Sequence, residues 1–158
     1  MIIRRAKISD IPDINRLLYQ VCAVHAAVRP DLFRTGGKKY TDAEISEIIA
    51  DDSRPIFVYE ESGSVCGYAF CIFQRHENEG ALNDLVTLYV DDLCVDETCC
   101  ARGIGRALYR HVLAFAESAG CYNVMLNVWA GNESAQRFYE NLGLKIQKYG
   151  METILKRA

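Results

Sequence analysis

The chain has 158 residues with 21 acidic and 18 basic side chains, a formal net charge of −3 and a hydrophobic share of 50%. That describes one globular domain with a full-sized core and excludes a disordered chain. Lys and Arg are scattered and nearly balanced by acids, so the charge offers no footprint for nucleic acid. No apolar run approaches the roughly 18 residues of a membrane span, and Met1 to Asp10 lacks the apolar stretch of a secretion signal, so no membrane partner and a cytoplasmic location are expected.

In chain order, Ile2 to Lys7 reads as a first strand. After Ser9 and Asp10, which can cap, Ile11, Ile14, Leu17, Leu18, Val21 and Cys22 recur at the three-and-four spacing of one buried helical face, with Pro12 tolerated in the first turn. Arg29 to Tyr40, with Pro30, Gly36 and Gly37, breaks the periodicity and predicts an exposed connection of a length that is often functional. Thr41 followed by Glu44 is a capping box, and Ile45, Ile48 and Ile49 give a short amphipathic helix ending near Asp51. Ile56 to Glu60 and Val65 to Phe73 read as strands joined across Glu61, Ser62 and Gly63 in an antiparallel hairpin. Gln74 to Gly80 is polar and predicts another loop.

Leu85 to Val95 is a long strand interrupted by the acidic pair Asp91 and Asp92. From Gly103, Leu108, Val112, Leu113, Phe115 and Ala116 mark a helix that stops at Gly120. Tyr122 to Val128 reads as a strand, Ser134 to Leu142 as a helix ending at Gly143, and Leu144 to Leu155 as a last extended segment. The order β-α-α-β-β-β-α-β-α-β is mixed α/β, mostly antiparallel in its first half. No repeat or linker divides it, so residues 1–158 are expected to form a single domain. The seven cysteines (Cys22, Cys66, Cys71, Cys94, Cys99, Cys100 and Cys121) are an odd number, mostly inside apolar runs, and are expected to be reduced. Cys94, Cys99 and Cys100 do not match the paired spacing of zinc ligands and have no nearby His, so no metal is expected.

The chemistry concentrates where Asp92-Leu93-Cys94-Val95 runs into Cys100-Ala101-Arg102-Gly103-Ile104-Gly105-Arg106. A strand opens through a Gly-containing turn onto a helix, so backbone N–H groups and the positive end of the helix dipole converge on a point that attracts an anion. Gly103 and Gly105 allow a phosphate to lie against the backbone, and Arg102 and Arg106 can add charge-assisted contacts. Two glycines at a helix start are equally ordinary turn chemistry. A P-loop is excluded because no Lys-Ser/Thr follows, and the third glycine of a dinucleotide fingerprint is absent.

Asp92-Leu93-Cys94-Val95, the Gly103-x-Gly105 turn, and Asn132-Glu133-Ser134-Ala135-Gln136-Arg137-Phe138-Tyr139 followed by Gly143-Leu144 together resemble the GNAT superfamily of acyl-CoA-dependent N-acetyltransferases. The resemblance implies a GNAT fold, a mixed and mostly antiparallel sheet of about six to seven strands flanked by four helices. The sheet would splay between the strands ending near Val95 and Val128 to admit acetyl-CoA. The pantetheine arm would pair with backbone at Leu93, Cys94 and Val95. The pyrophosphate would rest on the Cys100, Ala101, Arg102, Gly103, Ile104, Gly105 and Arg106 turn, with Asn132, Ala135, Phe138 and Tyr139 completing the cofactor site. The family's turn usually begins with Arg or Gln where this chain has Cys100, a loss of about 1 kcal/mol if one hydrogen bond goes with it.

An amine must be neutral to attack a thioester, yet a lysine-like amine is neutral at pH 7 in only about one molecule in 2500. In the spermidine/spermine-type acetyltransferases, which this stretch resembles, an acidic pair stands at the positions of Asp91 and Asp92 and lies by the amine, so both are expected to bind the acceptor and act as base. Strand alternation would send one of them away unless a bulge intervenes. Carboxylates here also stabilise an ammonium, so binding competes with deprotonation. The family role of Tyr139 is general acid toward the CoA thiolate; the competing role is core packing with Phe138. Asn132 resembles the residue that bonds the cofactor arm and is also placed to cap its helix.

The resemblance therefore implies acetyl transfer from acetyl-CoA to a small cationic amine or a protein amino group, in a family where homodimers are common. The alternative is a non-catalytic acyl-CoA-binding module with a degenerate turn at Cys100.

Overall fold

The structure, a computed structural model, describes residues 1–99 and 102–155. Its strands are β1 (Ile2–Arg5), β2 (Ile56–Glu61), β3 (Ser64–His76), β4 (Leu85–Val95) and β5 (Asn123–Met125), and its helices α1 (Ile11–Val28), α2 (Asp42–Ile49), α3 (Ile104–Ser118) and α4 (Glu133–Asn141). The strands lie side by side in sequence order, antiparallel up to β4, with β4 and β5 parallel.

Local chemistry sets most boundaries. The capping box forms, with Thr41 Oγ1 accepting from the Glu44 N–H at 3.2 Å and Glu44 Oε2 accepting from the Thr41 N–H at 2.7 Å. Ser62 at φ 52° and Gly63 at φ 81° make the two-residue turn, both at positive φ, that suits a tight hairpin. Asp10, expected to cap α1, instead turns its carboxylate to Arg4 at 2.8 and 3.0 Å and to the Lys7 N–H at 2.7 Å. α1 also runs six residues past Cys22, to Val28, and β3 extends through His76, shortening the loop expected from Gln74.

The sheet separates two apolar layers. Ile14, Leu17, Leu18, Ile45 and Ile48 pack with Tyr68, Phe70 and Cys94 on one face. On the other, Ile104, Leu108 and Val112 of α3 pack with Ala69, Cys71, Leu88 and Val90. Burying a side chain of this kind contributes about 1.5–3 kcal/mol each, so the two layers hold the sheet and leave its ends for other uses.

The expected six to seven strands are five among the described residues. Tyr122 to Val128 pairs only over Asn123–Met125, and Leu144 to Leu155 forms no ladder. An extended reading of a segment says nothing of a partner; pairing depends on what lies beside it.

Candidate active site

β4 is paired unequally on its two edges. Toward β3 the ladder runs from His76↔Leu85 to Gly67↔Val95. Toward β5 it runs only from Thr87↔Asn123 to Tyr89↔Met125. Beyond Tyr89 the parallel pairing stops, which leaves a gap in the ladder where the splay was expected. The Asp96 N–H donates to the Cys66 carbonyl at 2.8 Å, and ladder bonds alternate along an antiparallel pair. The peptide groups of Cys94 and Asp92 therefore belong to the β3 ladder, while those of Leu93 and Val95 face the gap. In that gap the Val95 carbonyl accepts from Gln20 Nε2 at 2.8 Å.

A bulge answers the question of the acidic pair. The register shifts between Phe70 and Cys71, which face Asp92 and Val90, leaving Asp91 as the extra residue. The phase of β4 reverses there: Leu88 and Val90 pack toward α3, whereas Cys94 packs toward α1 and α2. Asp91 bonds Lys39 Nζ at 2.9 Å and accepts from the Tyr40 hydroxyl, and Tyr40 stacks on Phe70 of the α1/α2 layer at 5.4 Å. Asp92 accepts from the Tyr68 hydroxyl at 3.0 Å in the same layer. Both carboxylates thus face one side.

Their environments differ. Asp91 is tied to a cation and a phenol of the connection that follows α1. Asp92 is buried, and loss of hydration pushes its carboxyl up to about 6, with the Lys39 charge and the Tyr68 hydroxyl opposing and Asp91 adding to the rise. Burial also raises the Tyr139 phenol, and the charge of Asp92 raises it further. The Tyr139 ring stands 6.3 Å from Tyr109 and 5.0 Å from Phe138, and its hydroxyl bonds no other described residue.

At the turn, Gly103 caps α3 at φ 77°, and a Cβ there would meet nothing within 4 Å, so its backbone is open to solvent. Gly105 is small for another reason: a Cβ would stand 3.0 Å from Phe138 Cζ. Arg102 is taken by Glu61 at 2.7 Å, whereas Arg106 is exposed and forms no ion pair among the described residues. Ile104 is buried in the core. Asn132 caps α4 through the Ala135 N–H at 3.1 Å. Cys100 and Ala101 lie outside the described residues. An acyl-CoA fits what remains: unpaired β-strand peptide groups at Leu93, an open glycine at a helix start, and one free guanidinium beside it.

Lys39, Tyr40, Tyr68 and Gln20 escaped sequence reasoning. Tyr68 and Asp92 share a face only once the bulge has set the register, and nothing local to the sequence pairs residue 39 with residue 91.

The chain belongs to the acetyltransferase (GNAT) family, whose pattern it matches over residues 22–144. A protein of Bacillus halodurans, BH1408, solved as a tetramutant, superposes with a TM-score of 0.93 at 29% identity, covering 98% of this chain and 100% of that one. The glucosamine 6-phosphate N-acetyltransferase of Trypanosoma brucei brucei is 27% identical over 96 residues, 61% of each chain. The fold is shared with the aminoglycoside N-acetyltransferase AAC(6')-Iy, solved with CoA, at TM-score 0.73 and 16% identity over 99% of this chain and 100% of that one. The chain spans about three fifths of the length of the curated relatives it matches. Among the described residues no helix is long and apolar enough to cross a membrane.

Proposed function

We propose that this chain transfers acetyl from acetyl-CoA to a primary amine by direct attack. The observation that carries the reading is the open edge of β4: the peptide groups of Leu93 and Val95 face a gap with no ladder partner, and the buried carboxylate of Asp92 lies on the same stretch of strand. The cosubstrate supplies an acetyl group activated as a thioester. The gap-facing N–H groups of Leu93 and Val95 bind the arm and polarise the acetyl carbonyl. Arg106 and the amides of the Gly103 turn hold the diphosphate, and Gln20 yields the Val95 carbonyl when the arm is seated.

Asp92 takes a proton from the amine, directly or through one water. A carboxyl near 6 is mostly ionised at neutral pH yet basic enough to serve. Tyr139 donates its hydroxyl proton to the departing sulfur. Over one turnover an ammonium nitrogen loses two protons and the sulfur gains one; the second nitrogen proton restores the phenol and the first reaches solvent from Asp92. Asp91 binds the acceptor more weakly than its charge suggests, because a cationic amine must displace Lys39. That supports a small amine over a protein amino group held by charge alone, and two of the similar proteins act, by name, on amino sugars or aminoglycosides.

Thiol release from acetyl-CoA with a panel of amino sugars, aminoglycosides, polyamines and peptide amines tests the reading. Turnover on at least one amine, with one proton released per thiol from an ammonium acceptor, is expected. Acetyl-CoA binding without turnover on any amine would make the chain a binding module, and no binding at millimolar concentration would end the proposal.

A further inference from the structure

Two carboxylates on one side of a strand suit an acceptor with two ammonium groups, one to react and one to anchor. The structure gives the anchoring place to the protein itself. Lys39 Nζ bonds Asp91 Oδ1 at 2.9 Å and the Asp91 carbonyl at 3.2 Å, and the Tyr40 hydroxyl donates to Asp91 Oδ2. Both carboxylate oxygens are therefore engaged by adjacent residues of the connection between α1 and α2. The Asp91 side chain is 11% exposed and that of Lys39 45%, so the carboxylate sits in the wall while the ammonium reaches it from the open side.

The surrounding groups add to this arrangement. Arg54 lies 5.9 Å over the Tyr40 ring, and burial together with the Asp91 charge pushes the Tyr40 phenol up, which keeps it a donor. Asp92 accepts from a neutral hydroxyl, that of Tyr68. Burial and the Lys39 charge hold His25 below its ordinary range. The His25 ring meets Phe33 at 5.0 Å, and Phe33 meets Trp129 at 5.5 Å, so the wall on that side is built of rings.

We propose that Lys39 is a specificity-determining residue: it fills the anchor position at Asp91, so the site takes acceptors with a single ammonium and discriminates against diamines and polyamines. The inference rests on the transferase reading for the placing of the reacting nitrogen at Asp92, and adds which acceptors follow. A diamine with one nitrogen at Asp92 meets Lys39 where its second charge would bind. It must expel the lysine from a mostly buried carboxylate or leave its own ammonium without a partner. Without Lys39 the second ammonium gains a charge-assisted contact at Asp91. An acceptor with one amine and a neutral body has no second charge to place there.

Thiol release from acetyl-CoA with butylamine, putrescine and spermidine, which share a butyl amine arm, tests this. In the wild type kcat/KM should not rise along the series. In Lys39→Gln the ratio of putrescine to butylamine should rise about tenfold, the worth of one charge-assisted contact, through KM rather than kcat. Lys39→Arg should keep the wild-type ratio, and adding Asp91→Asn to Lys39→Gln should remove the gain, a pattern that a merely destabilised variant does not give. Calorimetry of the same amines with CoA present reads the preference without turnover. A chain that releases no thiol yet binds putrescine more tightly in Lys39→Gln would end the transferase reading and leave the charge filter in place. A wild type that already favours putrescine or spermidine over butylamine overturns the inference, as does a ratio that Lys39→Gln leaves unchanged.

Discussion

The two edges of β4 carry the same backbone to opposite ends. Toward β3 every position from Leu85 to Val95 but the bulged Asp91 has a partner, and the faces above and below are filled by α1, α2 and α3. Toward β5 the pairing stops at Tyr89, and the peptide groups that follow have no ladder. A protein ordinarily satisfies such groups or covers them. A bare stretch on an interior strand is where the proposed cosubstrate would supply the missing bonds, and the paired edge holds that stretch in place.

Substitutions that touch only the open side should change chemistry and those on the closed side stability, while Asp92, which is buried as well as placed at the open stretch, should change both. The largest effect belongs to Tyr139→Phe, which should lower kcat by a hundredfold or more while leaving the Kd for acetyl-CoA unchanged, as read by thiol release and calorimetry. An equal kcat would return Tyr139 to packing.

Asp92→Asn should abolish the rise of kcat/KM with pH through about 6, and it should also stabilise the fold. The native carboxyl titrates near 6 against an ordinary 3.8, so its contribution to stability is complete below about pH 4 and lost as pH rises through 6. At pH 7.5 the Asn variant should therefore gain on the order of 3 kcal/mol in denaturant unfolding, with the Tyr68 hydroxyl still donating to the amide oxygen. No gain would mean that Asp92 is better solvated than its burial implies.

Gly67→Ala tests the closed side. A Cβ there would meet the Cys94 carbonyl and Leu108 Cδ1, both at 3.0 Å, so a loss of about 1–3 kcal/mol is expected with acetyl-CoA affinity little changed. Arg106→Ala is the mildest and the converse: unaltered melting and a roughly tenfold weaker acetyl-CoA, the worth of one charge-assisted contact. Should Arg106→Ala melt early, the two edges would not be separable.

The sequence carried the helices and the first strands because their cues are local. The face of α1 is written in Ile14, Leu17 and Leu18, and the start of α2 in Thr41 and Glu44. The site was legible as a neighbourhood, at the end of β4 and the turn after it. What each acid does was not, because the bulge at Asp91 is a property of two strands in register and the Lys39 contact spans 52 residues. Gly105 was legible as a residue that must be small, but its neighbour is Phe138. The last segment was read as extended, and such a reading names no pairing partner.

A Cβ on Gly105 would stand 3.0 Å from Phe138, so α4 lies directly on the first turn of α3. Because α4 rests on the first turn of α3 through a residue with no side chain, a shift of that turn would carry the helix bearing Tyr139 with it. In the proposed reaction such a lever would favour an order of loading in which the nucleotide arrives first and aims the phenol, and the amine comes second to a centre already set.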